Sequence, residues 1–161
     1  MSLASHTIAH GVVISSRAET IDGNPRHIRT IVKIEVKQLL RGQAGTRQLT
    51  LELPGGQVGS WAMKIPGMPS FTAGEEIVVF LEKTKQNWAL TGLSQGKFSV
   101  TTDTLGNKTV TRSLDGIHMV ARDKDGRLRE AHTKNQEQKQ TLVGLLTEVA
   151  HYLRKSAEAA K

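Results

Sequence analysis

Apolar and polar residues alternate along most of this chain, and clusters of Gly and Pro cut the alternation into short runs. Between Leu49 and Val100 the runs read LTLEL, PGGQVGSWAMKI, PGMPSFTAGE, EIVVFLEK, NWALTGL and QGKFSV, each broken by residues that turn a chain. Leu49, Leu51 and Leu53 alternate with polar neighbours, which predicts a strand with one buried face. Ile77 to Leu81 is apolar throughout, which predicts a strand covered on both faces or central to a small barrel.

The same grammar extends upstream. Thr7 to Ser16 is rich in β-branched residues and reads as a first strand, with Gly11 marking a bulge or a close approach. Ala18 to Arg26 carries Asp22-Gly23 and Asn24-Pro25 and is expected to turn. In the segment that follows, Ile28, Thr30, Val32, Ile34 and Val36 point one way, while Arg29, Ile31, Lys33, Glu35 and Lys37 point the other. Leu39 to Gly42 ends this long strand, and Gln43 to Arg47 leads into the strand at Leu49.

Pro54-Gly55-Gly56 breaks the pairing, Ser60 to Ile65 resumes it, and Pro66 to Pro69 is an extended loop where helix is disfavoured. Phe71 is expected to plug the core from that loop, with Glu75 and Glu76 as turn or rim residues. Thr72 to Glu75 matches a helix capping box formally, but the β-rich run after it argues against a helix. Lys97 to Thr102 and Lys108 to Arg112 form a hairpin around Gly106-Asn107. Ile117 to Arg122 and Arg127 to His132 form a more polar pair turning at Lys124-Asp125-Gly126. From about Glu137 to Ala157 the period changes, and Leu142, Leu145, Leu146, Val149 and Leu153 share one face of an amphipathic helix expected to pack on the domain's own sheet.

Composition narrows the chemistry. The 161 residues suffice for one domain with its own core. With 22 Lys and Arg against 15 Asp and Glu, the net charge is +7, which favours anionic contacts such as nucleic acid, phospholipid headgroups or acidic polysaccharide. The chain has no cysteine, which excludes disulfides, thiolate zinc sites and cysteine nucleophiles. No run reaches the roughly twenty apolar residues of a membrane-spanning helix. The opening Met-Ser-Leu reads as an expression start joined to an interior position, which leaves room for a removed leader.

Several motifs match a pattern without its context. Gly92 to Gly96 fits G-x-S-x-G, with Asp103, Asp115, His118 and His132 downstream. A nucleophile elbow at Ser94, however, needs a helix after it and a parallel α/β frame. Gly55-Gly56-Gln57-Val58-Gly59-Ser60 lacks the ending of a phosphate-binding loop. Asp123 to Gly126 resembles part of a calcium loop but meets Lys134 where the last carboxylate belongs. His6 and His10 have helical metal spacing on a strand, where they stand about 13 Å apart, and His27, His118, His132 and His151 are scattered. Asn107-Lys108-Thr109 is a glycosylation sequon. The remaining pattern is basic and aromatic: Arg26, Arg29, Lys33, Lys37, Arg41 and Arg47 with Trp61, Trp88 and Phe98, the ingredients of a barrel that holds single-stranded nucleic acid.

Leu40 to Gly42, Pro54 to Gly56, Pro69 to Glu75, Phe80-Leu81 and Gln95 to Phe98 together resemble a group of mostly exported, uncharacterised bacterial proteins. That group shares a Leu-x-Gly turn, Pro-Gly-Gly, Pro-x-Phe-x-x-Gly-Glu, Phe-Leu and Gln-Gly-x-Phe. The likeness covers roughly residues 8 to 100. More distantly the chain is similar to the OB-type barrel of netrin-like modules and tissue metalloproteinase inhibitors. Those inhibitors act through an amino-terminal cysteine that this chain lacks. The resemblance implies a fold and a periplasmic or secreted location.

The expected fold is therefore mainly β, an antiparallel OB-like barrel over about residues 7–102. A polar hairpin extension follows over about 103–133, and a C-terminal amphipathic helix over about 137–157. The expected function is a non-enzymatic extracytoplasmic binding or protein-interaction module, without cofactor or metal, for a protein or an envelope polymer. Its ligand-binding residues are expected at Gly55, Gly56, Gln57, Trp61, Met68 and Phe71, because loops on a rigid frame carry binding surfaces. The alternative is single-stranded nucleic-acid binding through Arg26, Arg29, Lys33, Lys37 and Arg41. A hydrolase using Ser94 stands third.

Overall fold

A computed structural model describes residues 5–85, 87–112, 120–122, 128–130 and 140–159. The strands are β1 (Thr7–Ile21), β2 (Asn24–Arg41), β3 (Gln48–Pro54), β4 (Gly56–Val58), β5 (Trp61–Met63), β6 (Glu76–Lys83), β7 (Trp88–Leu90), β8 (Lys97–Thr102), β9 (Lys108–Thr111), β10 (Val120–Arg122), β11 (Leu128–Glu130) and β12 (Gln140–Thr141), and helix α1 spans Leu142–Ala159.

A closed barrel of five strands runs in the order β1-β2-β3-β7-β6 and returns to β1. Its first two strands are longer than the sequence suggests. Asp22 and Gly23 both take positive φ, 53° and 70°, a two-residue turn whose twist matches the strands beside it. Ile21 therefore already faces Asn24, and Ala18 to Ile21 belong to β1 instead of to a loop. Gly11 stands at a register shift between β1 and β2, and a Cβ there would lie 2.2 Å from the Glu35 carbonyl oxygen, so only glycine fits this approach.

β6 is the hub. One edge pairs with β1 from Glu76 to Leu81; the other is divided between β8 at Ile77 to Val79 and β7 at Leu81 to Lys83. Its apolar run serves two cores, as a strand covered on both faces should. Ile77, Val79 and Leu81 point into the barrel with Val32, Ile34, Leu49, Leu51 and Leu53, and Phe71 enters that core from its loop. Val78 and Phe80 point outward and join Phe98, Val100 and Val110 beneath Leu142, Leu145 and Val149 of α1. The helix thus packs on the domain's own sheet, with Leu146 and Leu153 half-buried against the same cluster.

Three expectations are corrected. The barrel is antiparallel except where it closes, since β3 and β7 meet in parallel at Leu51 and Trp88. Ser60 to Ile65 does not rejoin the barrel: Trp61–Met63 pairs with Gly56–Val58 as a separate hairpin, because Gly55 and Gly56 carry the chain off the sheet at φ 93° and 135°. The helix begins at Leu142, because Gln140 and Thr141 pair with β9 and the Thr141 hydroxyl accepts the Gly144 N–H at 3.1 Å, a side-chain cap that starts the helix there. β10 and β11 pair antiparallel as expected, and their turn at 124–126 lies outside the described residues.

Candidate functional site

Where β3 leaves the barrel, the chain crosses the barrel end twice, first as the β4–β5 hairpin and then as the loop from Pro66 to Phe71. Glycine makes the first crossing possible. A Cβ on Gly56 would meet Thr30 Oγ1 at 2.6 Å and the Ala18 Cβ at 2.8 Å, and one on Gly55 would meet the Met63 carbonyl at 2.6 Å. The hairpin is tied down by the Gly55 N–H donating to the Ile28 carbonyl at 2.8 Å and by the Thr30 hydroxyl donating to the Gly55 carbonyl at 2.7 Å.

The second crossing is fastened at both ends. The Ser94 hydroxyl donates to the Gly67 carbonyl at 2.5 Å, and the Ser94 N–H donates to the same oxygen at 3.1 Å. Lys97 Nζ donates to the Ser70 carbonyl at 2.6 Å, pairs with Glu75 at 2.7 Å and lies 4.6 Å from the centre of the Phe71 ring. Ser99 completes the Glu75 carboxylate with a bond of 2.7 Å.

Between the two crossings lies a cleft of about 390 Å³. Gly55, Gly56, Gln57, Met68 and Phe71 all line it, beside Leu53, Met63 and Ile65, with Lys64 as the charged side chain. Trp61 does not line it and is 56% exposed. A second recess of about 580 Å³ shares Pro54 and Met63 with it and includes His27, Arg29, Glu52 and Lys85.

The basic residues of β2 are not assembled with the aromatic ones. Arg29, Lys33, Lys37 and Arg41 recur every four residues, about 13 Å apart at strand rise. Arg29 is bound on both sides, to Glu19 at 2.7 Å and Glu52 at 3.0 Å, and these hydrogen bonds, Glu52 first, raise its pKa. The Asn87 amide and then Arg29 hold the Glu52 carboxyl below its ordinary value. Lys37 lies 3.7 Å from Glu76, and Arg26, Lys33 and Arg41 are exposed. Trp88 packs against the barrel core. Phe98 is buried under α1, with the Arg112 guanidinium 4.6 Å over its ring.

Ser94 sits in a single 3-10 turn, Leu93–Gly96, that runs directly into β8, and it is 3% exposed. Asp103 is occupied by the β8–β9 turn, where the Asn107 side chain, followed by backbone N–H groups, keeps its carboxyl below the usual range. Asp115, His118 and His132 lie outside the described residues, as do Asp123 to Gly126 and Lys134. His10 Nε2 meets Glu76 at 2.7 Å, with Lys108 at 2.7 Å on the same carboxylate. Among the described residues no three His, Asp or Glu side chains converge as a metal site, and no helix is long and apolar enough to cross a membrane.

Sequence reasoning singled out neither Lys64 nor Lys97. Lys97 carries a weak signal, a lone cation in an otherwise apolar strand start; Lys64 carries none, because an exposed lysine after a short strand is ordinary. Comparison of the chain with family models, curated proteins and solved structures gave no match.

Proposed function

We propose that this protein is a non-enzymatic binding module of the bacterial cell envelope and that the cleft at the barrel end is its recognition site. The observation that carries the reading is the convergence of Gly55, Gly56, Gln57, Met68 and Phe71 on one concave surface. Apolar concavities with a few polar groups are the usual form of a ligand site. The loops around it are held by Ser94 and Lys97 to a rigid barrel, so the surface is preorganised. Among the described residues, Ser94 is engaged on a carbonyl and Glu75 and Glu76 in ion pairs. Nucleic-acid binding is the weaker reading, because Arg29 is already neutralised by two carboxylates and the strands beside β2 present it no stacking partner.

The test is an amide-resolved NMR titration with indole, a small apolar probe. The expected result is a saturable shift at Gly55, Gly56, Gln57 and Met68 that disappears in Ala62→Trp, a variant that fills the cleft from an exposed lining position. Shifts scattered over the surface, or unchanged in the filled variant, refute the assignment of the site.

A further inference from the structure

We infer that the cleft receives a single-chain anionic amphiphile, a fatty-acid-like carboxylate. Its tail lies against Met63, Ile65, Met68 and Phe71, and its head group meets Lys64. The inference rests on the binding-module reading and gives that site a ligand class.

The first support is the state of the polar groups around the cleft. The Gly55 carbonyl accepts from Thr30, the Gly67 carbonyl from Ser94 and the Ser70 carbonyl from Lys97. The Ile65 carbonyl accepts the Met68 N–H at 3.2 Å, and the Gln57 amide donates to the Gly59 carbonyl at 3.2 Å. Each of these acceptors already carries one hydrogen bond, so a peptide strand entering here would have to share them for its own N–H groups. An alkyl chain brings no such groups.

The second support is the lining itself. Met63 and Met68 line the cleft with Ile65 and Phe71, and unbranched, polarisable thioethers conform to a flexible chain. A volume of about 390 Å³ lies near the lower end of the roughly 300–1,000 Å³ range of small-molecule sites, which suits one chain better than a two-chain lipid. The third support is charge. Lys64 is exposed at the rim and makes no ion pair among the described residues, whereas Lys97 and Arg29 are both paired. An anionic head at Lys64 leaves the tail directed inward, and the chain's net charge of +7 favours approach of an anion.

The experiment is an NMR and calorimetric titration at pH 7.5 and low salt with octanoate, hexanoate, 1-octanol and octyltrimethylammonium, all below micellar concentrations. Octanoate is expected to shift Gly55, Gln57 and Met68. Hexanoate should bind on the order of tenfold more weakly, since two methylenes leave the cleft. 1-Octanol should bind about two- to fivefold more weakly than octanoate, the range of an exposed charge pair. In Lys64→Glu the order of the two charged octyl probes should reverse, and Ala62→Trp should abolish binding of every probe. Equal binding of octanol and octanoate with no effect of Lys64→Glu overturns the inference, as does octanoate binding that survives Ala62→Trp. If indole shifts the cleft amides while octanoate does not, the amphiphile inference falls and the binding-module reading stands. If every probe is silent, both fall.

Discussion

Replacing Lys97 by methionine isolates what its buried ammonium contributes, because the two side chains have similar length and methionine keeps the packing of the stem. The Lys97 side chain is 9% exposed and that of its partner Glu75 21% exposed. Removing it deletes a charged hydrogen bond to the Ser70 carbonyl, about 1.5–3 kcal/mol. It also deletes the contact with the Phe71 ring, about 0.5–2 kcal/mol, and leaves Glu75 without its cation. An abandoned buried charge costs about 3–5 kcal/mol, but Glu75 keeps the Ser99 hydroxyl and a fifth of its exposure, which lowers that figure. These contributions overlap, and the expected net loss is about 3 kcal/mol. For a chain of this size that is about 6–12 °C in Tm. Urea unfolding of Lys97→Met, Glu75→Gln and the double variant supplies the cycle, in which the double variant should lose less than the sum of the singles. Amide exchange should rise from Met68 to Phe71 in Lys97→Met. A loss under about 0.5 kcal/mol, or an additive cycle, refutes the role of Lys97 as the anchor of the loop.

Gly11→Ala places a methyl 2.2 Å from the Glu35 carbonyl, and thermal unfolding should show a loss at or above the about 1–3 kcal/mol of ordinary overpacking. Leu93 holds a positive φ of 57° and is 42% exposed; Leu93→Asn should stabilise by about 0.5–1 kcal/mol in urea by relieving that backbone. Burial pushes the Glu76 carboxyl up, but hydrogen bonds from Lys108 and His10 and the charges of Lys37 and Lys108 prevail and hold it below its ordinary value. A carboxyl depressed in the folded state contributes stability that is complete above its unfolded value of about 4.3 and is lost as pH falls through its folded value. Stability measured between pH 5 and pH 3 should therefore fall less steeply in Glu76→Gln than in the parent protein, and equal slopes refute the assignment. Glu52 titrates in the same sense, so the slope in Glu76→Gln should not vanish.

What the sequence makes legible is whatever a single segment decides for itself. The alternation from Ile28 to Val36 sets which face of β2 is dry, because side chains repeat every second residue. The unbroken apolar run of β6 announces two covered faces, and the stripe from Leu142 to Leu153 announces one. What escapes is whatever depends on which segments meet. The division of one β6 edge between β7 and β8, and the parallel contact that closes the barrel at Leu51 and Trp88, follow from long-range register that no local pattern encodes. The same blindness makes the outer face of β2 read as a basic patch. Glu19 and Glu52 reach Arg29 from neighbouring strands, so its charge is balanced by residues 10 and 23 positions away. The cleft lies between these cases. Gly, Pro and Met mark where the chain cannot continue as a strand, and a chain that leaves a barrel edge must cross the barrel end before it can return. The turn-forming Gly and Pro residues, with the Met and Phe beside them, are thereby carried across that end of the barrel. That is why Gly55, Gly56, Gln57, Met68 and Phe71 come together there, while Trp61, in the same hairpin, is not part of the lining.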